Sequence, residues 1–134
     1  MAPSEVVIDS NVYIDLMRAR RDVVSELYQW AGFRELVVCG MIRLEVLRGI
    51  KQPRARQMVS AFMDVMINVP TDSRLWADAT DLAWSLDRKG ITLPASDLVI
   101  AASAMRLGAA VMTSDAHFRK IEGLTVIEPP REWF

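Results

Sequence analysis

Cysteine and histidine are almost missing from this chain: Cys39 and His117 are the single examples in 134 residues. One cysteine excludes an intramolecular disulfide and any multi-cysteine zinc site, and one histidine excludes a histidine-rich metal site. Metal chemistry is therefore expected to use oxygen ligands, which suit Mg²⁺, Mn²⁺ or Ca²⁺. An excess of one charge is lacking too. Sixteen basic residues stand against 17 acidic ones, a formal net charge of −1, so no global basic surplus marks a nucleic-acid binder. No apolar run reaches the roughly 18 residues of a membrane span. The opening MAPSEVVID carries no basic stretch ahead of an apolar one, so no secretory leader is expected and the chain is placed in the cytoplasm. Internal repeats and low-complexity tracts are absent from the sequence.

What is present reads as an ordinary globular domain. Hydrophobic residues make up 51% and charged residues 25%, and the length fits one domain over residues 1–134. The basic side is rich in arginine, 13 against 3 lysines, and a guanidinium matches phosphate geometry better than an ammonium does.

Short apolar runs alternate with longer stretches of helical period. The runs are Val6–Ile8, Leu36–Val38, Ile67–Val69, Ala110–Met112 and Thr125–Ile127. Between them, Leu75, Trp76, Ala79, Leu82, Ala83 and Leu86 trace one buried helix face, with Thr71 or Asp72 as cap and Gly90 as stop. Met58, Val59, Phe62, Met63 and Met66 form a second stripe within Arg54–Met66. Ala95–Leu107 is apolar nearly all round, and Pro94 and Gly108 bracket it. Such alternation predicts an α/β fold with a mainly parallel sheet covered on both faces. In such sheets ligands sit outside the carboxyl ends of the strands.

Four acids fall near that rim. Asp9 follows the first apolar run, with Ser10 or Asn11 expected to cap the next helix. Asp115 follows the fourth run, with Ser114 as a candidate cap. Asp97 lies in the first turn of the apolar helix, and Glu45 lies among apolar neighbours in the helical stretch Met41–Arg48. Each has an ordinary alternative role as cap, dipole partner or surface residue; the case rests on the set. Two carboxylates about 4 Å apart repel by about 4 kcal/mol at an effective dielectric near 20. A group of four calls for protonation or a cation among them, and a divalent ion there suits hydrolysis of a phosphodiester by activated water.

The segments VVIDSNVYID (6–15), RLEVLRGI (43–50), PASDLVIAASAMRLGAAVMTSD (94–115) and HFRKIEGLTVI (117–127) together resemble the PIN-domain family, and within it the VapC-type toxin ribonucleases of prokaryotic toxin–antitoxin modules. The resemblance covers nearly the whole chain. It implies a three-layer α/β/α sandwich and a Mg²⁺- or Mn²⁺-dependent endoribonuclease. It implies a homodimer and a VapB-like antitoxin that blocks the nuclease groove. By position, Asp9, Glu45, Asp97 and Asp115 fall on the family's acidic quartet, with Asn11 and Thr113 on its supporting polar positions. Arg43 and Arg48 are candidate RNA contacts, as are Arg106 and Arg119 more distantly, though each also fits a solvated helix face. His117 is expected in a surface or capping role. One departure stands out. Val38–Ile42 lacks the hydroxyl that relatives often carry ahead of the helical glutamate, which leaves the orientation of Glu45 unexplained. That gap prompts a second reading, a catalytically silent PIN-fold binding module, which a Mg²⁺ or Mn²⁺ titration of RNA cleavage separates from the first. A receiver-like signalling domain, the third reading, needs a lysine at a strand end, and Lys51, Lys89 and Lys120 follow none.

Overall fold

The five apolar runs become five parallel strands in a computed structural model that describes residues 3–134. They are β1 (Glu5–Ile8), β2 (Glu35–Cys39), β3 (Ile67–Val69), β4 (Ala110–Met112) and β5 (Val126–Ile127). Their order across the sheet is β3-β2-β1-β4-β5. β1 is central: Val7 lies beside Val37 of β2 on one side and Val111 of β4 on the other. Val6, Val7 and Ile8 are fully buried, as the continuous apolar run requires for a strand covered on both faces.

Six helices connect and cover the strands in a three-layer α/β/α arrangement. They are α1 (Ser10–Arg18), α2 (Val23–Ala31), α3 (Gly40–Leu47), α4 (Pro53–Asp64), α5 (Ser73–Arg88) and α6 (Ala95–Leu107). Helix α6 buries Leu98–Ala104 without a break. Each large apolar side chain there contributes roughly 1.5–3 kcal/mol. Gly108 ends the helix in the left-handed conformation at φ 64, where a side chain would be strained. Asp72 caps α5 by accepting from the Leu75 N–H at 2.9 Å, one of the two caps expected.

Several local expectations are corrected. Neither Ser10 nor Asn11 caps α1; Asp9 itself does, accepting from the Ser10 N–H. Asp115, not Ser114, caps the 3-10 turn Ala116–Lys120. A carboxylate at a strand end outcompetes the following hydroxyl because it accepts more strongly and favours the positive end of the helix. Helix α4 runs Pro53–Asp64 rather than Arg54–Met66. Between α1 and α2, Arg20 adopts φ 58, and Asp22 caps α2 through the Ser25 N–H. Trp76, on the helix face expected to be buried, is 50% exposed, and Trp84 is 62% exposed, so neither belongs to the core of the single chain. Of the two terminal aromatics, Trp133 packs into the core while Phe134 stays exposed.

The chain builds β1, β2 and β3 outward in one direction, then crosses back to place β4 on the other side of β1. The two flanking connections therefore diverge above the carboxyl ends of β1 and β4, leaving a crevice at that point.

Candidate metal centre

Four elements converge on that crevice. Asp9 stands just past β1, Thr113 and Asp115 just past β4, Asp97 in the first turn of α6, and Glu45 midway along α3. Asp9 is only 5% exposed. Its Oδ1 accepts from the Ser10 N–H at 2.8 Å, and its Oδ2 accepts from the Thr113 hydroxyl at 2.8 Å. Thr113 Oγ1 in turn accepts from Asn11 Nδ2 at 3.1 Å and from the Asp115 N–H at 3.0 Å. With both lone pairs taken, the single hydroxyl proton has one destination, Asp9. Thr113 thus ties the ends of β1, α1 and β4 together; it bonds Asp9 directly, while Asn11 reaches the acids only through Thr113.

Glu45 is oriented by a residue the sequence reading had placed elsewhere. The Ser10 hydroxyl donates to Glu45 Oε1 at 2.5 Å. The hydroxyl missing from Val38–Ile42 is supplied across the crevice, by the start of α1. No periodicity or spacing signals this pairing, because the partners lie 35 residues apart.

The acids perturb one another. Burial, with Asp97 and Glu45 nearby, lifts the Asp9 carboxyl to about 6 against the bonds from Thr113 and Ser10. Burial, then Asp115 and Glu45, raise Asp97 as well, and His117 opposes that rise. Among the described residues, no arginine or lysine pairs with any of the four. Arg43 bonds Asp64 at 2.8 Å, Arg106 bonds Asp72 at 3.0 Å, and Arg119 bonds Glu128 at 3.1 Å. Arg43 and Arg106 are therefore engaged in holding helices, and Arg106 sits at the far end of α6 from Asp97. Arg48 lies exposed at the end of α3.

The donor set fits a divalent cation. Carboxylate oxygens of Asp97 and Asp115 and a ring nitrogen of His117 all lie within 4.8 Å of one another. Around an ion with bonds near 2.1 Å, ligands stand about 3.0 Å apart when adjacent and about 4.2 Å when opposite, so these three groups have to draw together to share one ion. Asn11 Oδ1 is buried without a partner, a further oxygen able to accept from the site. The single histidine thus lies beside two of the four acids. Cys39 is buried, and burial raises its thiol, which suits a packing role rather than a nucleophile. Beside Asp115 opens a groove of about 460 Å³, lined among others by Thr113, Ser114, Arg119, Arg131 and Phe134. Arg131 and Phe134 had no site role in the sequence reading; their position at the rim comes from the tail folding back.

The fold has counterparts among known proteins. No curated protein matches the chain in sequence. Solved structures similar to it include VapBC2 from Rickettsia felis bound to a promoter DNA fragment, with a TM-score of 0.76 and 18% identity over 92% of this chain and 98% of that one. DNA-bound VapBC from Salmonella typhimurium is similar with a TM-score of 0.76 and 20% identity, covering 100% of both chains. VapBC-5 from Mycobacterium tuberculosis, a member of the VapBC family of toxin–antitoxin systems, follows at 0.60 and 21%, over 94% and 98%. The profile of the PIN domain matches residues 6–124, a span that contains all four acids, Thr113 and His117. On that match the chain belongs to the PIN-domain family.

Proposed function

We propose that the chain is a metal-dependent endoribonuclease, the toxin of a VapBC-type module. The observation that supports this best is the unneutralised carboxylate cluster of Asp9, Glu45, Asp97 and Asp115 at the crevice between β1 and β4, with two of its members raised. Asp9, Asp97 and Asp115 would hold Mg²⁺ or Mn²⁺, with Glu45 completing the site. Such an ion, when bound, supplies positive charge that offsets the acids, polarises the scissile phosphate and acidifies water. Ser10 occupies Oε1 of Glu45, so Oε2 is the oxygen left to orient the attacking water and take its proton. Thr113 and Asn11 fix Asp9 and Asp115 relative to each other. Arg48, exposed near the site helix, and Arg131 with Phe134, lining the adjoining groove, suit phosphate and base of a single strand.

A VapB-like antitoxin, a homodimer and a cytoplasmic setting belong to the same proposal, supported by the likeness to VapBC structures. Among the described residues no helix is long and apolar enough to cross a membrane. The silent-module alternative drew on the missing hydroxyl near Glu45; the Ser10 bond removes that support. The test is RNA cleavage by purified protein with Mg²⁺, Mn²⁺ or EDTA. Cleavage that needs the ion and vanishes in Asp9→Asn is expected, together with growth arrest on expression and rescue by the antitoxin encoded alongside. Cleavage unaltered by EDTA or by Asp9→Asn overturns the assignment.

A further inference from the structure

We propose that His117 is itself a ligand of the metal centre, giving it one nitrogen donor and shifting its preference from Mg²⁺ towards first-row transition ions such as Mn²⁺. The inference rests on the metal-centre reading above and deepens it. The 3-10 turn after β4 places the ring: the His117 N–H donates to Asp115 Oδ1 at 2.9 Å, and Nδ1 of the same residue lies 3.1 Å from that oxygen. Backbone and ring thus both address one carboxylate, which places the ring beside the site. A ring nitrogen falls within the 4.8 Å cluster shared with Asp97 and Asp115.

Chemistry assigns the consequence. Mg²⁺ is a hard ion that takes oxygen and keeps its waters. Imidazole nitrogen binds the transition series better, with affinity rising from Mn²⁺ along the series. A quartet of carboxylates alone discriminates little between Mg²⁺ and Mn²⁺; a quartet with an imidazole favours Mn²⁺. The side chain is 53% exposed, so it can turn from Asp115 towards an ion, and its removal leaves the core intact.

The chain has one histidine, so isotope-labelled histidine in untagged full-length protein reports on this residue alone. Pulsed EPR of added Mn²⁺ should show a nitrogen coupling that changes with the label. Titration calorimetry should show His117→Ala losing about tenfold or more in Mn²⁺ affinity, the range known for groups around metal sites, with Mg²⁺ affinity unchanged. Mn²⁺ binding without a label-sensitive coupling, or a His117→Ala variant that treats both ions as the wild type does, overturns the role of His117 and leaves the metal centre standing. Failure of the wild type to bind Mn²⁺ or Mg²⁺ at all overturns both.

Discussion

The two ends of helix α6 handle charge in opposite ways. At its last turn Arg106 grips Asp72 through two nitrogens, at 3.0 and 3.3 Å, and that contact, with the Leu75 N–H, lowers the Asp72 carboxyl. At its first turn Asp97 meets Asp115 and Glu45 with no arginine or lysine partner, and its carboxyl is raised. The first arrangement lowers the free energy of the fold as it stands. The second raises it, and persists because the surrounding packing holds the groups in place. A carboxylate with a cation beside it is a fastener; several without one, buried at a strand rim, form a site waiting for charge.

The sharpest way to break this contrast is Asp97→Asn. If the rim is a nuclease centre, RNA cleavage should fall about a thousandfold, in the range of lost acid–base and electrostatic groups, while the circular dichroism spectrum stays that of the wild type. Cleavage near the wild-type rate would put Asp97 in the same structural class as Asp72.

Asp9 gives a test in stability. Its folded-state value of about 6 lies above the ordinary 3.8, so the folded chain binds this proton more tightly than the unfolded one. The stabilisation is present below pH 3.8 and lost as pH rises through about 6, roughly 3 kcal/mol in all. Urea unfolding in EDTA at about pH 4 and pH 7.5 should show the wild type losing more stability than Asp9→Asn, the difference being the contribution of this position. Added Mn²⁺ should restore the wild type at the higher pH and not the variant. Equal pH slopes for the two proteins would show that Asp9 is not held in this way.

Two smaller effects sharpen the comparison. Ser10→Ala should cut cleavage about tenfold, as expected for a group that orients a catalytic acid, with little change in melting temperature; an unchanged rate would mean that Glu45 needs no such guide. Asp72→Ala removes a helix cap and an exposed ion pair, so unfolding studies should register a small loss of stability. Its cleavage rate should match the wild type.

Much of this architecture was legible in the residues. β1, β4 and α6 announced themselves by apolar runs with hard punctuation, and the rim position of Asp9, Asp97 and Asp115 followed from the rule for parallel sheets. Features set by distant chain contacts were not legible. Ser10 meeting Glu45 depends on how α1 and α3 lie against each other, and nothing local to either residue encodes it. The surroundings of Trp84 were not legible for a related reason: it lies under the Arg88 guanidinium at 4.8 Å, an exposed cation–π pairing that bulk hydrophobicity does not anticipate. His117 is exposed, as expected of a lone histidine; its approach to Asp115 is set by the 3-10 turn after β4 and has no local signal.

Thr113 donates to a carboxylate 104 residues earlier in the chain. Until β4 has been synthesised and has docked beside β1, neither that bond nor Asp115 exists, and the acids already made lie on a sheet without its second rim. A fragment cut short just ahead of residue 110 keeps Asp9, Glu45 and Asp97 but lacks Thr113 and Asp115, so the crevice is completed only by the last stretch of chain to be made.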